Sequence, residues 1–248
     1  MLFRSVLAIV AYRKGEFARS NELYKEVFLS AQRRSGIESE SWGLTGRLWS
    51  LLPLGLIDET VTLLEALPTE TLSQADRMCV YAALAQAYLL RQDTARVREF
   101  AERASQLAMQ SPPTVQYSFP GYSGLTGIYL ALWEAAGNQP LAERQALRKL
   151  SSQACRNVER FGRVFPAGKP YALLWRGLYD WLDGKPSRAR RAWQKCVSLA
   201  EELATPYEQA LAYYEIGRHA TIDDPLREQY LMHADEILTR LGAKRASI

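Results

Sequence analysis

An all-α protein of about six stacked helical hairpins is predicted by this sequence. One pattern of small, turn and packing residues occurs five times, and its turn residues at 15, 55, 92, 137 and 184 are 40, 37, 45 and 47 residues apart. The positions that follow each turn have the i, i+4, i+7 spacing of one helix face. A fixed order of residues at irregular intervals is typical of a helical repeat array whose helices differ in length.

The clearest copy of the pattern is the stretch "GLYDWLDGKPSRARRAWQKC". It begins at Gly177, and the turn residue Gly184 follows seven residues later. The residues five, nine and twelve positions beyond that turn are Ala189, Trp193 and Cys196. A small residue lets a second helix approach closely, and a turn glycine adopts the left-handed conformation that ends the first helix. We therefore interpret the spacing as a packing pattern and assign Trp193 to the core.

Four further copies keep this order with substitutions. In the order of first residue, turn and three packing positions, they are Ala8, Gly15, Ser20, Tyr24 and Val27; Leu48, Gly55, Thr60, Leu64 and Leu67; Ala85, Gln92, Val97, Ala101 and Ala104; and Leu130, Gly137, Ala142, Ala146 and Lys149. A sixth hairpin is predicted from a first helix at 206–219 and a second that starts near Asp223 or Asp224, before Pro225, and stops at Gly242.

The motif resembles the tetratricopeptide repeat, most closely over residues 2–28 and 171–200. This resemblance implies a right-handed superhelix of tetratricopeptide-like hairpins, with the first helix of each hairpin lining a concave groove. The regular tetratricopeptide step is about 34 residues, so the array is irregular. We expect residues 1–248 to form a single solenoid, and any subdivision to fall at the stretch 110–122.

That stretch, "QSPPTVQYSFPGY", contains Pro112, Pro113 and Pro120 with aromatic residues between them. Proline is unfavourable within a helix, so an extended loop is predicted at residues 110–122. We interpret the loop as a rigid spacer between two halves of the array. A functional loop is the alternative, because long loops in compact proteins often have a function.

The last third of the chain is similar to the C-terminal helical region of large bacterial signalling ATPases, specifically from about residue 170 onward. Its most distinctive stretch is "PYEQALAYYEIGRH", residues 206–219. Such proteins include class III adenylate and guanylate cyclases with AAA-type or NB-ARC-like ATPase modules, LuxR-type activators and related kinases. The resemblance implies a bacterial sensor region that restrains attached ATPase and output domains. No cyclase or ATPase motif occurs here, so the resemblance implies a fragment of a larger protein.

Composition favours a protein of the reducing cytoplasm. Apolar residues make up 48% and charged residues 23% of the chain, as in ordinary soluble proteins. Cys79, Cys155 and Cys196 are far apart and lie in no zinc-ligand pattern, so neither a disulfide framework nor a zinc site is expected. The apolar run at residues 6–11 is too short for a signal peptide or a membrane span.

Positive charge is concentrated in one segment of the chain. Residues 143–195 contain 13 Lys and Arg against 4 acidic residues, so this segment is +9 and the rest of the +4 chain is −5. Five of these arginines, which we call the basic strip, are predicted to project from one long helix: Arg144, Arg148, Arg156, Arg160 and Arg163. Such a strip attracts an acidic protein surface, anionic lipid or a nucleic-acid backbone. A solvated helix face is the alternative, and it is the more usual interpretation of such a run of charges. The arginines also lack interleaved aromatic residues that could serve as platforms for base stacking.

Residues for enzyme chemistry are few, and no catalytic, cofactor-binding or metal-binding residues are predicted. The stretch "GRVFPAGKP" differs from a phosphate loop because five residues separate Gly162 from Gly168 and Pro170 replaces the Ser or Thr. The two histidines have structural interpretations. His219 is predicted to bind late carbonyl groups at a helix end, and His233 to be a solvated surface residue.

The function predicted from these observations is a non-catalytic scaffold that binds a protein, a peptide or a small effector. Register relative to the packing residues suggests five groove-facing side chains: Tyr12, Arg13, Gln86, Trp181 and Tyr213. If the resemblance holds, the partners include the attached ATPase and output domains. The alternative is a stand-alone repeat receptor that binds a peptide or small ligand in its groove. An enzyme with tryptophan-lined pockets is a third possibility, but it lacks an identifiable acid–base pair.

Overall fold

Helices account for nearly all of the regular structure. The computed structural model describes residues 2–33, 37–65, 67, 69–110 and 116–244, and these residues form twelve α-helices and no strand. The helices are α1 (Leu2–Arg13), α2 (Phe17–Gln32), α3 (Ile37–Leu54), α4 (Ile57–Glu65), α5 (Gln74–Leu90), α6 (Thr94–Gln110), α7 (Phe119–Ala135), α8 (Leu141–Val164), α9 (Lys169–Leu182), α10 (Pro186–Glu202), α11 (Pro206–His219) and α12 (Arg227–Leu241). The predicted all-α class is confirmed.

Consecutive helices pack against each other as hairpins. The pairs of helices in contact are α1–α2, α3–α4, α5–α6, α9–α10 and α11–α12. The connection between α7 and α8 consists of residues 136–140. The helices belong to two compact units, one formed by Met1–Leu125 with Gly242–Ser247 and the other by Thr126–Leu241. No helix in the described part of the chain has both the length and the apolar character needed to cross a bilayer. A superhelical arrangement of the hairpins stays a prediction.

The turn residues behave as the repeat pattern predicts at four of five copies. Gly15, Gly55 and Gly184 have φ angles of +74°, +72° and +73°, and Gln92 has a φ of +60°. At Gly184 the N–H donates to the carbonyl of Trp181 at 2.9 Å, and the next N–H donates to the carbonyl of Asp180 at 2.8 Å. These paired bonds close the Schellman motif, which satisfies the last carbonyl groups of a helix.

Most of the predicted packing positions are buried. They include Ser20, Val27, Thr60, Leu64, Val97, Ala101, Ala104, Ala189, Trp193 and Cys196. Ser20 also makes a specific contact, because its hydroxyl donates to the carbonyl of Ala8 at 3.0 Å. Leu67 is an exception. It is only partly buried, and it lies two residues beyond Glu65, the last residue of α4.

The register predicted after Gly137 is wrong. Ala142, Ala146 and Lys149 are exposed, and Gly137 is absent from the residues with positive φ in the described chain. α8 begins four residues after Gly137, whereas the corresponding helices begin two residues after the other turn residues. The buried i, i+4, i+7 face starts five residues later than predicted, at Leu147, Ser151 and Ala154, and the late start of α8 accounts for two of these five residues.

The extended loop predicted at residues 110–122 is also wrong where the structure describes it. Gln116–Ser118 forms a 3-10 turn and α7 begins at Phe119, so Pro120 is the second residue of a helix. Proline is tolerated there because the first N–H groups of a helix have no intrahelical partner. Pro112 and Pro113 lie outside the described residues. The second helix of the last hairpin also starts later than predicted, at Arg227.

All three cysteines are free and buried. Burial raises the pKa of each thiol, that of Cys155 to about 12, and the thiolate is the reactive form. We therefore expect Ellman's reagent to leave the folded protein unlabelled for minutes at pH 8, and to titrate all three thiols after denaturation in guanidinium chloride. Rapid labelling of a thiol in the folded protein would contradict this arrangement.

Candidate functional site

A cavity of about 270 Å3 opens where α9, α10 and α11 meet, within the second unit. Its aromatic wall consists of Trp181 near the end of α9, Trp193 in α10 and His219 at the last position of α11. Its rim includes Arg190 and Asp224. We call this cavity the aromatic pocket. It combines a half-open volume with aromatic and charged side chains.

Ring contacts fix the aromatic wall. The rings of Trp193 and His219 stack at 5.1 Å between centroids with 12° between their planes, and the Trp181 ring lies 4.3 Å from that of His219. Trp193 is 1% exposed, which confirms its assignment to the core. Its indole N–H donates to the carbonyl of Leu174 at 3.1 Å, so this group is already satisfied and the ring orientation is fixed.

His219 closes the end of α11 as predicted from its position. Its Nδ1 lies 2.9 Å from the carbonyl oxygen of Glu215, one turn earlier in the same helix. An Nδ1–H donor in that position satisfies a late helix carbonyl. The other ring nitrogen, Nε2, lies 3.7 Å from a carboxylate oxygen of Glu134. The ring therefore connects the aromatic wall to a set of charged residues behind it.

That set is a three-residue ion cluster centred on Arg218. The two Nη groups of Arg218 donate to the two carboxylate oxygens of Glu134 at 2.6 and 3.1 Å. Its Nε lies 3.0 Å from both carboxylate oxygens of Glu215. One guanidinium thus holds two carboxylates, in the planar geometry that suits arginine better than lysine.

The two carboxylates of the Arg218 cluster differ in their acidity. Burial raises the pKa of Glu134, but contacts with His219 and Arg218 outweigh it and lower the pKa to about 2. Glu215 is more deeply buried, with 6% of its side chain exposed, and burial raises its pKa even though Arg218 acts in the opposite direction. At neutral pH Glu134 is therefore ionised and pairs with the positive charge of Arg218.

The polar rim of the aromatic pocket contains an ion pair between Arg190 and Asp224, in which Asp224 also accepts a backbone hydrogen bond. Arg190 donates through Nη2 to Oδ2 of Asp224 at 2.9 Å. The second carboxylate oxygen of Asp224, Oδ1, accepts the N–H of Leu226 at 3.0 Å, and this backbone bond lowers the pKa of Asp224. Each oxygen of Asp224 thus accepts one hydrogen bond, whereas this pair uses one of the five N–H donors of the Arg190 guanidinium.

Of the five predicted groove residues, Trp181 alone lines the aromatic pocket. Tyr213 instead packs on α12, with its ring 6.1 Å from Tyr230 and 5.5 Å from His233. His233 is partly exposed, and its ring also packs against Tyr213, so it is more than the solvated surface residue that the sequence predicts. The other predicted groove residues, Tyr12, Arg13 and Gln86, are partly buried in the first unit.

The basic strip lies on one helix as predicted. All five of its arginines belong to α8 and are exposed. Arg148 pairs with Asp183 at 2.7 Å, and Arg156 donates to the hydroxyl of Ser152 at 3.0 Å. In the described part of the chain, Arg160 and Arg163 have no acidic side chain at ion-pair distance. Helical spacing places them opposite the buried side of α8.

Sequence reasoning missed Glu134, Glu215, Arg218, Arg190 and Asp224. The Arg218–Glu134 pair joins residues 84 positions apart, and no periodic pattern specifies such a contact.

Within residues 2–33, 37–65, 67, 69–110 and 116–244, no three His, Cys, Asp or Glu side chains are grouped as a metal site would require. Comparison of the chain with protein-family models, curated proteins and solved structures finds no match.

Proposed function

We propose that the chain is a non-catalytic scaffold that binds an acidic protein surface through the basic strip on α8. The observation that carries this proposal is the exposure of Arg160 and Arg163 without an acidic partner in the described residues. Charged side chains at such a surface steer a complementary partner and determine its register more than they add affinity.

The packing of α8 supports a surface role for the basic strip. Val158 and Phe161 are fully buried on the inner side of the same helix, so the helix is held firmly while the arginines point to solvent. A rigid helix presents charges at fixed spacing, which favours recognition of another folded surface. Binding to single-stranded nucleic acid would require exposed aromatic residues among the arginines, and Phe161, which lies between Arg160 and Arg163, is buried.

The resemblance to signalling ATPases gives a candidate partner. In that setting the chain is the regulatory module of a bacterial signalling ATPase or nucleotide cyclase, and the acidic surface belongs to an attached ATPase or output domain. A second function is favoured by the aromatic pocket. In that function the chain is a receptor that binds a peptide or small ligand and signals by itself.

Charge reversal tests the basic strip. Replacing Arg156, Arg160 and Arg163 with Glu is expected to leave folding intact and to weaken partner binding at least about tenfold at low salt. The control replaces exposed basic residues of the first unit, Lys14, Lys25 and Arg33, with Glu. Affinity capture from the source cells, quantified by mass spectrometry, compares both variants with the wild-type chain.

A partner that is lost only from the basic-strip variant supports the proposal. Equal capture by all three proteins, with the same salt dependence, would show that the strip is a solvated face. The mass of the native polypeptide in its source cells separates the two functions. A band far above 28.1 kDa on an immunoblot indicates that the chain is a module of a larger protein, as the first function requires. A band at 28.1 kDa indicates a stand-alone receptor, as the second function requires.

A further inference from the structure

We propose that the aromatic pocket binds a small aromatic carboxylate, with the ring against Trp181 and the carboxylate on Arg190. This inference rests on the second proposed function, because it names the chemical class of ligand that such a receptor would bind. The basic strip is a separate surface on α8 and plays no part in it.

The size of the pocket limits the ligand to one ring system. Its volume of about 270 Å3 is slightly below the range of roughly 300–1,000 Å3 that is typical of sites for drug-sized molecules. Ile216 and Pro186 complete the apolar part of the lining beside the two tryptophans. A flat ring makes full use of such a surface, since aromatic pairs stack or meet edge to face.

The aromatic wall is built before a ligand arrives. Trp193 is fixed by its bond to the carbonyl of Leu174, and His219 is fixed by its bond to the carbonyl of Glu215. Trp181 lies over His219 and is partly exposed, so part of its surface remains available to a ligand ring. A preformed wall reduces the entropy that binding has to offset.

The polar groups of the rim favour an anion over a cation. Ser187 and Thr221 offer hydroxyl groups, and Arg190 offers its remaining N–H donors, whereas both oxygens of Asp224 already accept hydrogen bonds. The start of α10 adds the positive end of a helix dipole beside Ser187. A ligand that supplies acceptors and negative charge therefore fits this rim, whereas an ammonium ligand would lie close to the positive guanidinium of Arg190.

The molecule itself contains the arrangement that we propose for the bound state. Arg218 holds the carboxylates of Glu134 and Glu215 at the same time, a few residues from the pocket. In the proposed complex Arg190 holds Asp224 and the ligand carboxylate in the same way. The carboxylate comes from a free aromatic acid or from the C-terminal aromatic residue of a peptide, and both sources present the same chemistry.

Titration of the purified chain with indole-3-acetate tests the proposal by calorimetry and by the 15N-indole signals of the tryptophans. We expect saturable binding that shifts the Trp181 signal. Replacing Arg190 with Gln is expected to weaken binding at least about tenfold, because a charge-assisted bond is lost. The matched control is Arg191→Gln, since Arg191 is the exposed neighbour on the same helix and does not line the pocket.

Two further comparisons make the test specific. Trp181→Leu is expected to abolish the binding that Trp181→Phe retains, provided that both variants have the thermal midpoint of the wild-type protein. Indole and tryptamine, which lack the carboxylate, are expected to bind at least about tenfold more weakly than indole-3-acetate. A Gly-Gly-Gly-Phe peptide, with a free or an amidated C terminus, distinguishes the two sources of the carboxylate.

Binding of indole-3-acetate without the free peptide assigns the pocket to a small acid. Binding of the free but not the amidated peptide assigns it to a chain terminus. The proposal is overturned if neither probe binds at millimolar concentration, if tryptamine binds as tightly as the acid, or if Arg191→Gln weakens binding as much as Arg190→Gln. Because the titration uses the chain alone, its failure leaves the partner-capture result on the basic strip unaffected.

Discussion

Replacement of Gly177 with Leu is expected to lower the free energy of unfolding by roughly 2–4 kcal/mol. A Cβ atom at position 177 would lie 2.3 Å from Nε1 and 2.5 Å from Cδ1 of Trp193, far inside van der Waals contact. Trp193 has little freedom to yield, because its indole N–H is bonded to the Leu174 carbonyl and its ring is stacked on His219. The larger side chain therefore forces α9 and α10 apart.

Urea unfolding followed by circular dichroism measures this effect. The control is Gly137→Leu. Gly137 is exposed, and a Cβ built there has its nearest neighbour, the carbonyl oxygen of Glu134, at 3.9 Å. We expect the control to change stability by less than about 0.5 kcal/mol, as for an ordinary surface substitution. An unchanged midpoint for the Gly177 variant would contradict the close helix approach and the repeat register based on it.

Replacement of Arg218 with Met is expected to cost about 3–5 kcal/mol at pH 7, because it leaves two partly or fully buried carboxylates without their counter-ion. Arg218 is itself largely buried, with 19% of its side chain exposed, and methionine fills much of the same volume. The loss therefore reports the unpaired charges rather than a cavity.

The pH dependence of this loss has a definite sign. The folded pKa of Glu134, about 2, is below its ordinary value of 4.5, so the pair adds stability that is present above pH 4.5 and is lost as the pH falls toward 2. Glu215 has a raised pKa, so its burial costs stability that accumulates as the pH rises from the ordinary value of 4.5 through the folded pKa. Both effects make the difference between wild type and variant largest near neutral pH.

Urea unfolding at pH 7 and at pH 3.5 tests the sign. We expect the difference between wild type and Arg218→Met to shrink at the lower pH. Arg148→Met is the matched control, because Arg148 is half-exposed and Asp183 keeps Lys185 as a second cationic partner, so the change should cost at most about 1 kcal/mol. A loss for Arg218→Met that equals the control, or that grows on acidification, would show that the cluster contributes nothing as an ion pair.

Local features of the fold follow from the sequence because their causes are local. A helix ends at Gly15, Gly55 and Gly184 because each of these residues adopts a positive φ, and the packing residues follow at fixed helical spacing. After Gly137 the pattern fails because α8 starts two residues later relative to its turn than the corresponding helices do, and the buried face of α8 then begins only at Leu147. A sequence template has no means of detecting two extra residues in a turn.

The candidate site was predictable only in part. Its register predicts a groove-facing position for Trp181, and this side chain lines the aromatic pocket. Its charged neighbours come from distant segments: Arg190 meets Asp224 across 34 residues, and Arg218 meets Glu134 across 84. Such pairs depend on how helices pack, and their members have no distinctive spacing in the chain.

Trp193 lies behind Trp181 and His219 in the aromatic pocket and is also the residue against which Gly177 packs, so the proposed ligand site and the packing of α9 on α10 depend on the same ring. A ligand that binds the folded state alone raises its stability in proportion to the logarithm of ligand concentration above Kd. Small changes at Gly177 should thus alter affinity without any contact to the ligand. In a chain of marginal stability, ligand concentration would then set how much of the chain is folded and escapes proteolysis, so abundance itself would become the signal.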